Sequence, residues 1–193
     1  MSEEILNNNF QKRMSSFIKK NFKNLIILLV FLVLLLFGYF FYEDLKEKNE
    51  IKISESYTYA TIKFKEKKGD ESKKILEDII NKDHRFYSPM ALYFIIDNNL
   101  ETNTSKIIKF FDKVLSINSI DEENLNLIKI KKAIYLFNSE NEAVIIKTLN
   151  PVINSNSIWR NLAINLMSDY FLSKNQESKA NEYLQLLNKK IKR

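Results

Sequence analysis

Apolar residues follow two different patterns in this chain, one continuous and one periodic. Residues 25–42 form a run of eighteen positions without a charged residue, an amide or a proline. After residue 50, apolar positions recur every three to four residues, which is the period of an α-helix with one buried face. No segment alternates between apolar and polar residues as a half-buried strand does. The pattern therefore predicts an all-α protein.

The continuous run predicts a transmembrane helix. At about 1.5 Å per helical residue it covers about 27 Å, close to the roughly 30 Å hydrocarbon core of a bilayer. Its distal end is crowded with aromatic residues, as expected of a belt at the lipid headgroups. A cleaved signal peptide is the main alternative. It fits poorly, because the 24 preceding residues are mostly polar and no small-residue cleavage site follows the run.

The charges on either side of the run predict its orientation. Residues 1–24 carry five basic and two acidic residues, whereas residues 43–50 carry four acidic and two basic residues. Basic flanks favour the cytoplasmic side of a membrane. We therefore expect a cytoplasmic tail over residues 1–24, a membrane helix over 25–42 and an exported domain over 43–193. The first fifteen residues lack periodicity and predict a loose tail.

Periodic apolar positions predict a series of helices after the membrane run. The expected helices cover residues 51–64, 70–80, 90–98, 105–115, 121–137, 143–149, 159–172 and 179–191. Three N-caps are expected: Asp70 after Gly69, Ser88 before Pro89, and Ser139 in a capping box with Glu142. Pro151 and the polar residues that follow it are expected to end the sixth of these helices.

The predicted helices recur in pairs. When the second helices are aligned, Ile75-Leu76, Phe110-Phe111, Thr148-Leu149 and Tyr183-Leu184 share a register, with spacings of 35, 38 and 35 residues. A tetratricopeptide repeat has about 34 residues, and stacked pairs bury apolar faces that one pair cannot bury alone. The spacing predicts a domain of about four tetratricopeptide-like helix pairs. An ordinary bundle with helices of similar length is the alternative.

Composition excludes several function classes. The formal net charge is +6, and the tail over residues 1–24 supplies +3 of it, so residues 43–193 are nearly balanced and lack the basic face of a nucleic-acid binder. The chain has no cysteine, which excludes disulfides, zinc–thiolate sites and thiol catalysis. Two glycines cannot form a phosphate-binding loop. The only histidine, His84, is expected in a solvated loop. We therefore expect no enzyme activity, no metal and no cofactor.

The end of the chain carries a local motif. It reads LNPV at 149–152, SIWRNLA at 157–163 and ANEY at 180–183. Together with the basic N-terminus, one membrane run and about 150 residues of helix pairs, it resembles the tetratricopeptide-like domain family of the ancillary SecYEG translocon subunit (YfgM-like). Isoleucine at 158 stands where that family usually has proline. The resemblance implies a single-pass bacterial inner-membrane protein whose periplasmic repeat domain accompanies the Sec translocon and periplasmic chaperones, without catalytic residues.

Candidate protein-binding residues lie on the first helices of the pairs, because a repeat array normally receives a partner segment on one face. Trp159 and Arg160 belong to residue types that are enriched at binding hot spots, although a tryptophan at a helix start more often packs between repeats. The candidates are Tyr93, Tyr135, Trp159, Arg160 and Tyr170.

The predicted function is a membrane-anchored protein–protein interaction scaffold on the periplasmic side of the inner membrane. Its expected partners are the lipid bilayer and other proteins, with SecYEG and a periplasmic chaperone as candidates, and neither nucleic acid nor a small-molecule substrate. One alternative is an import-receptor-like protein that holds its repeats in the cytosol and binds targeting peptides. The other is a structural spacer within a different membrane complex.

Overall fold

A computed structural model describes residues 2–137 and 142–188 of the chain, without the side chains of residues 2–13, 15–19, 25 and 28. The described residues form helices joined by short turns and contain no strand, so the all-α prediction is confirmed. The helices are α1 (Ser2–Lys65), α2 (Gly69–Asn81), α3 (Tyr87–Asp97), α4 (Thr104–Leu115), α5 (Glu122–Leu136), α6 (Glu142–Ile153), α7 (Arg160–Ser173) and α8 (Glu177–Gln185), followed by a 3-10 turn at Leu186–Asn188.

Helix α1 begins at Ser2, so the expected loose tail over the first fifteen residues is replaced by helix. No proline and no glycine occurs before Gly38, so nothing in the sequence interrupts a helix there. The helix continues beyond the apolar run to Lys65, in agreement with the apolar face expected over residues 51–64.

The chain divides into two compact units, Met1–Lys52 and Ile53–Arg193. In the first unit, the large apolar side chains of the membrane run that the structure describes are between 42% exposed, at Val33, and 69% exposed, at Phe37. The described helix from Lys20 to Lys65 has a mean hydropathy of 2.9 in its most apolar window, which is long and apolar enough to cross a membrane. None of that window is buried within the protein.

The second unit has two apolar clusters. The first joins the end of α1 to α2, α3, α4 and the start of α5, with Leu76, Leu92 and Phe111 among its fully buried side chains. The second joins the end of α5 to α6, α7 and α8, with Leu149 and Met167 at its centre. Each cluster is built from the apolar faces of its helices. These faces consist of residues three to four positions apart, which is the amphipathic pattern of the sequence.

Positions that were aligned between the second helices have matching burial. The leading position is buried in all four helices: Ser72, Ile107, Ile145 and Ala180. The next aligned position is half-buried in each, and the following leucine or phenylalanine is buried in α2, α4 and α6. In α8 the equivalent Leu184 is 37% exposed, because no further described helix packs on it.

Several predicted helix boundaries need correction. Helix α2 begins at Gly69 with Lys68 at the N-cap, so Asp70 is not the cap and lies in the first turn instead. Helix α3 begins at Tyr87, which moves Ser88 from the cap into the helix. Pro151 does not end α6, since Val152 and Ile153 are buried in the second cluster and keep the last turn helical.

The remaining predictions agree more closely with the structure. The helix expected from residue 121 begins at Glu122, and Asp121 is its N-cap, because its side chain accepts a hydrogen bond from the N–H of Asn124. The helix predicted at 159–172 is present one residue later. Helix α8 ends at Gln185 and passes into the 3-10 turn, whereas a helix to residue 191 was expected; residues 189–193 lie outside the described part of the chain, as does Ser139.

Candidate protein-binding groove

Two surface cavities adjoin each other between helices α3 and α5. The larger has a volume of about 290 Å³ and is lined by Tyr93, Ile96, Asp97, Lys131, Ile134 and Tyr135, with Phe111 beneath. The smaller has a volume of about 190 Å³ and is lined by Arg85, Phe86, Met90, Tyr93, Asn124 and Leu127, with Pro89 and Ile128 completing it. Tyr93 belongs to both cavities, so we treat them as one groove, the α3–α5 groove.

Tyr93 is the central side chain of the groove. Its ring packs against the first apolar cluster, and the Nζ atom of Lys131 lies 4.4 Å from the ring centroid. Burial raises the pKa of Tyr93 to about 12, so its phenol stays neutral throughout the physiological range. The ring therefore provides an apolar wall with a neutral hydroxyl group and an ammonium group held over its face.

Tyr135 forms the far wall of the larger cavity. Its ring lies 6.1 Å from the ring of Phe111, and the side chain packs against both apolar clusters. Tyr93 and Tyr135 come from different helix pairs, and the fold brings these two predicted residues to one surface site. Their neighbour Ile134 is 51% exposed at the rim.

Arg160 holds helix ends together and does not line the groove. Its Nε atom donates to the carbonyl of Ile153 at 3.0 Å, and Nη2 donates to the carbonyl of Leu186 at 2.7 Å. Trp159 is half-buried and packs against the second apolar cluster. The two adjacent residues thus connect the end of α6, the start of α7 and the 3-10 turn.

Tyr170 is corrected from a lining residue to a core residue. It is 1% exposed, and its ring meets those of Phe137 and Phe171 at centroid distances of 5.6 and 5.5 Å. A partner segment cannot contact this side chain while α7 keeps its position. Its place on a first helix was predicted correctly, but the ring lies on the face of α7 that packs into the second cluster.

His84 caps a helix instead of lying free in a solvated loop. Its Nδ1 atom accepts hydrogen bonds from the N–H groups of Phe86 and Tyr87, at 3.2 and 3.0 Å, and its ring lies 5.2 Å from that of Tyr87. These bonds satisfy donors at the start of α3. The described residues contain no group of three or more acidic or histidine side chains placed to hold a metal ion.

Arg85 and Lys131 are functional candidates that the sequence did not single out. Arg85 follows the only histidine in a polar turn, and Lys131 is one of three lysines at positions 129–132 of α5. Periodicity can assign a residue to a helix face, but it cannot tell which helix packs beside that face. The groove exists only because α5 packs next to α3 across α4.

Comparison of the chain with family models, curated proteins and solved structures gives no match.

Proposed function

We propose that the chain is a single-pass membrane protein with a cytoplasmic N-terminus, and that residues 43–193 form a periplasmic tetratricopeptide-like scaffold that binds other proteins. The α3–α5 groove is the observation that carries the binding function. It joins Tyr93 and Tyr135 from neighbouring helix pairs in an open, largely apolar site, which is the usual character of a surface that receives a peptide segment.

The exposed apolar run supports the anchor. Within the eighteen-residue apolar run, the large apolar side chains that the structure describes are exposed and need another apolar environment, since soluble proteins rarely leave so large a patch in water. The charge asymmetry between residues 1–24 and 43–50 supports the orientation.

Repeated packing supports the tetratricopeptide-like array. In three pairs a small buried residue on the first helix precedes a buried residue on the second helix by twelve positions: Ala60 with Ser72, Ala133 with Ile145, and Ser168 with Ala180. Such recurrence is expected of stacked units with equivalent contacts, and a bundle of unrelated helices has no reason to repeat it.

Ion pairs between successive units add to this support. Glu77 on α2 meets Lys106 on α4 at 2.7 Å, and Glu142 on α6 meets Lys179 on α8 at 3.1 Å. Both pairs join second helices of neighbouring pairs, so the same kind of contact recurs along the array.

The proposed partners are the Sec translocon and periplasmic chaperones. This part of the proposal rests on the resemblance of residues 149–163 and 180–183 to the translocon-accessory family and on the predicted export of the domain. Protein binding requires no catalytic group, which agrees with the structural roles of His84 and Arg160.

The experiment that tests the proposal is topology mapping by thiol labelling. Ser178 is exposed on α8 and the chain has no native cysteine, so Ser178→Cys gives a single reporter. In spheroplasts of a Gram-negative host, we expect a membrane-impermeant maleimide to label this variant without lysis. A Ser2→Cys variant is the matched control and should be labelled only after lysis.

Labelling of Ser178→Cys only after lysis would overturn the exported scaffold and favour the cytosolic receptor. After labelling in intact spheroplasts, site-specific crosslinking from the groove residue Ile134 tests the partners. Crosslinks to translocon or chaperone subunits are expected. If no such crosslinks form from Ile134, and the crosslinks that do form depend only on the membrane anchor, the structural spacer is favoured.

A further inference from the structure

We propose that the α3–α5 groove binds a protein segment in which an acidic side chain lies between two apolar side chains. This inference rests on the proposed protein-binding function and specifies the chemistry of the partner. It follows from two cavities that share the lining residue Tyr93 and from one cation that lines each of them.

The cavities each suit one apolar side chain. An enclosed apolar cavity of about 150 Å³ holds a benzene ring. The two cavities of the groove measure about 190 and 290 Å³, so each accepts a leucine-sized or aromatic group. Because Tyr93 lines both cavities, they lie close enough together for one segment to insert a side chain into each.

Each cavity is lined by one cation. Arg85 lines the smaller cavity and Lys131 the larger, and neither has a carboxylate within ion-pair distance among the residues that the structure describes. Lysines that face neighbouring helices are neutralised: Lys106 pairs with Glu77, and Lys132 pairs with Asp112 at 2.6 Å. The groove thus presents positive charge that the fold leaves available.

The Lys131 ammonium group is already positioned for an incoming carboxylate. Its contact with the face of Tyr93 holds it beside the wall that the two cavities share. A carboxylate there receives a charge-assisted hydrogen bond in a partly apolar setting, where such bonds are stronger than in bulk water.

Asp97 makes the two ends of the groove electrostatically different. This carboxylate also lines the larger cavity and repels a second acidic group at that end, whereas Arg85 at the smaller cavity attracts one. The three charges leave the rim with a net charge of +1 and favour a segment whose acidic residue lies between the two apolar side chains, close to Tyr93.

The test is a peptide selection on the full chain in phosphatidylcholine nanodiscs. A phage-displayed library of random dodecapeptides is the probe. We expect the enriched sequences to place aspartate or glutamate between leucine, phenylalanine or tryptophan residues. Binding of the leading synthetic peptide, measured by fluorescence polarisation, should weaken about tenfold in Lys131→Gln and should decrease as salt rises from 0.05 to 0.5 M.

Two variants complete the design. Lys147→Gln removes the same charge from an exposed position on α6 and should leave peptide affinity unchanged. Ile134→Glu places a carboxylate at the exposed rim and should reduce binding at least tenfold while the circular dichroism spectrum stays the same.

Enriched peptides without acidic residues would overturn the proposal. Equal peptide affinity of the Lys131→Gln and Lys147→Gln variants would also overturn it. So would a selection in which every enriched peptide still binds the Ile134→Glu variant. These results are independent of topology. A repeat domain found in the cytoplasm would refute the proposed location and leave the peptide chemistry intact.

Discussion

Two fully buried serines have opposite hydrogen-bonding states. The hydroxyl group of Ser88 accepts from the N–H of His84 at 2.9 Å and donates to the carbonyl of Ile79 at 2.8 Å. It thereby connects the last turn of α2 to α3. The hydroxyl group of Ser72 has no partner among the described residues. Burial alone therefore does not indicate what each hydroxyl group contributes to stability.

Replacement of each serine by alanine should separate these states. We expect Ser88→Ala to lower the free energy of unfolding by about 1–3 kcal/mol, because the N–H of His84 loses its acceptor and the carbonyl of Ile79 loses one of its two donors, the other being the N–H of Lys82. Ser72→Ala should leave it unchanged or raise it by about 1 kcal/mol, since an unsatisfied polar atom is removed. Thermal unfolding of the full chain in nanodiscs, followed by circular dichroism, measures both. Equal losses in the two variants would contradict the assigned roles.

Glu101 should make stability depend on pH. Hydrogen bonds from Lys73 and from the N–H of Asn103, with Lys106 nearby, lower its pKa from 4.5 to about 2. A lowered pKa in the folded state stabilises the protein above pH 4.5, and that contribution is lost as the pH falls toward 2. Glu101→Gln should therefore cost about 1 kcal/mol at pH 7 and progressively less below pH 4.5.

The control for this prediction is Glu55→Gln, which changes an exposed carboxylate on α1. Its difference from the parent protein should stay near zero at every pH. A difference in the free energy of unfolding between Glu101→Gln and the parent protein that stays constant down to pH 2 would refute the lowered pKa of Glu101.

At the scale of the elements, helix positions were predictable, whereas several helix ends were not. Apolar periodicity located α2 to α8, because each helix buries a face that recurs every three to four residues. The ends depend on left-handed residues, and the chain uses Lys67, Asp83, Asn99 and Asn175 there. A lysine gives no sequence signal for a left-handed position. The sequence therefore predicted the helix boundary at Gly69 and Asp70 instead of at Lys67.

The turn between α1 and α2 offers a test of this point. Lys67 has φ 63°, and its N–H and that of Lys68 bond back to the carbonyls of Phe64 and Lys63. Lys67→Gly should raise the free energy of unfolding by about 1 kcal/mol, because glycine adopts this conformation without steric strain.

Gly69 supplies the matched comparison for that substitution. Its φ is not positive, and an added Cβ would meet Leu100 Cδ2 at 3.5 Å, an ordinary contact. Gly69→Ala should be neutral or stabilise by up to about 1 kcal/mol, again measured by thermal unfolding. A loss larger than 1 kcal/mol would mean that Gly69, and not Lys67, is the residue under conformational constraint.

At the scale of the whole molecule, the sequence predicted the long apolar helix and the all-α fold, but only part of the lining of the α3–α5 groove. Tyr93 and Tyr135 were predicted as lining residues from their place on first helices, and both line the α3–α5 groove. Tyr170 was misassigned, because the same helix carries an exposed and a buried face and the residue type fits both. Arg85 and Lys131 required the packing of α3 beside α5.

The orientation of the molecule should depend on the basic tail. Replacing Lys12, Arg13, Lys19, Lys20 and Lys23 by glutamine removes the positive charge that favours a cytoplasmic N-terminus. In this background, we expect labelling of Ser178→Cys in intact spheroplasts to fall by at least half. Unchanged labelling would mean that another feature sets the topology. Replacement of Lys46 and Lys48 by glutamine is the control and should have no effect.

Tyr135 packs against both apolar clusters. Clusters with separate cores tend to open as separate cooperative units, which amide hydrogen exchange resolves. A ligand that contacts Tyr135 stabilises the closed form of each cluster by mass action. The gain in free energy grows with the ratio of the ligand concentration to its dissociation constant. We therefore expect a ligand that binds between α3 and α5 to slow amide exchange in α7 and α8, which it does not contact.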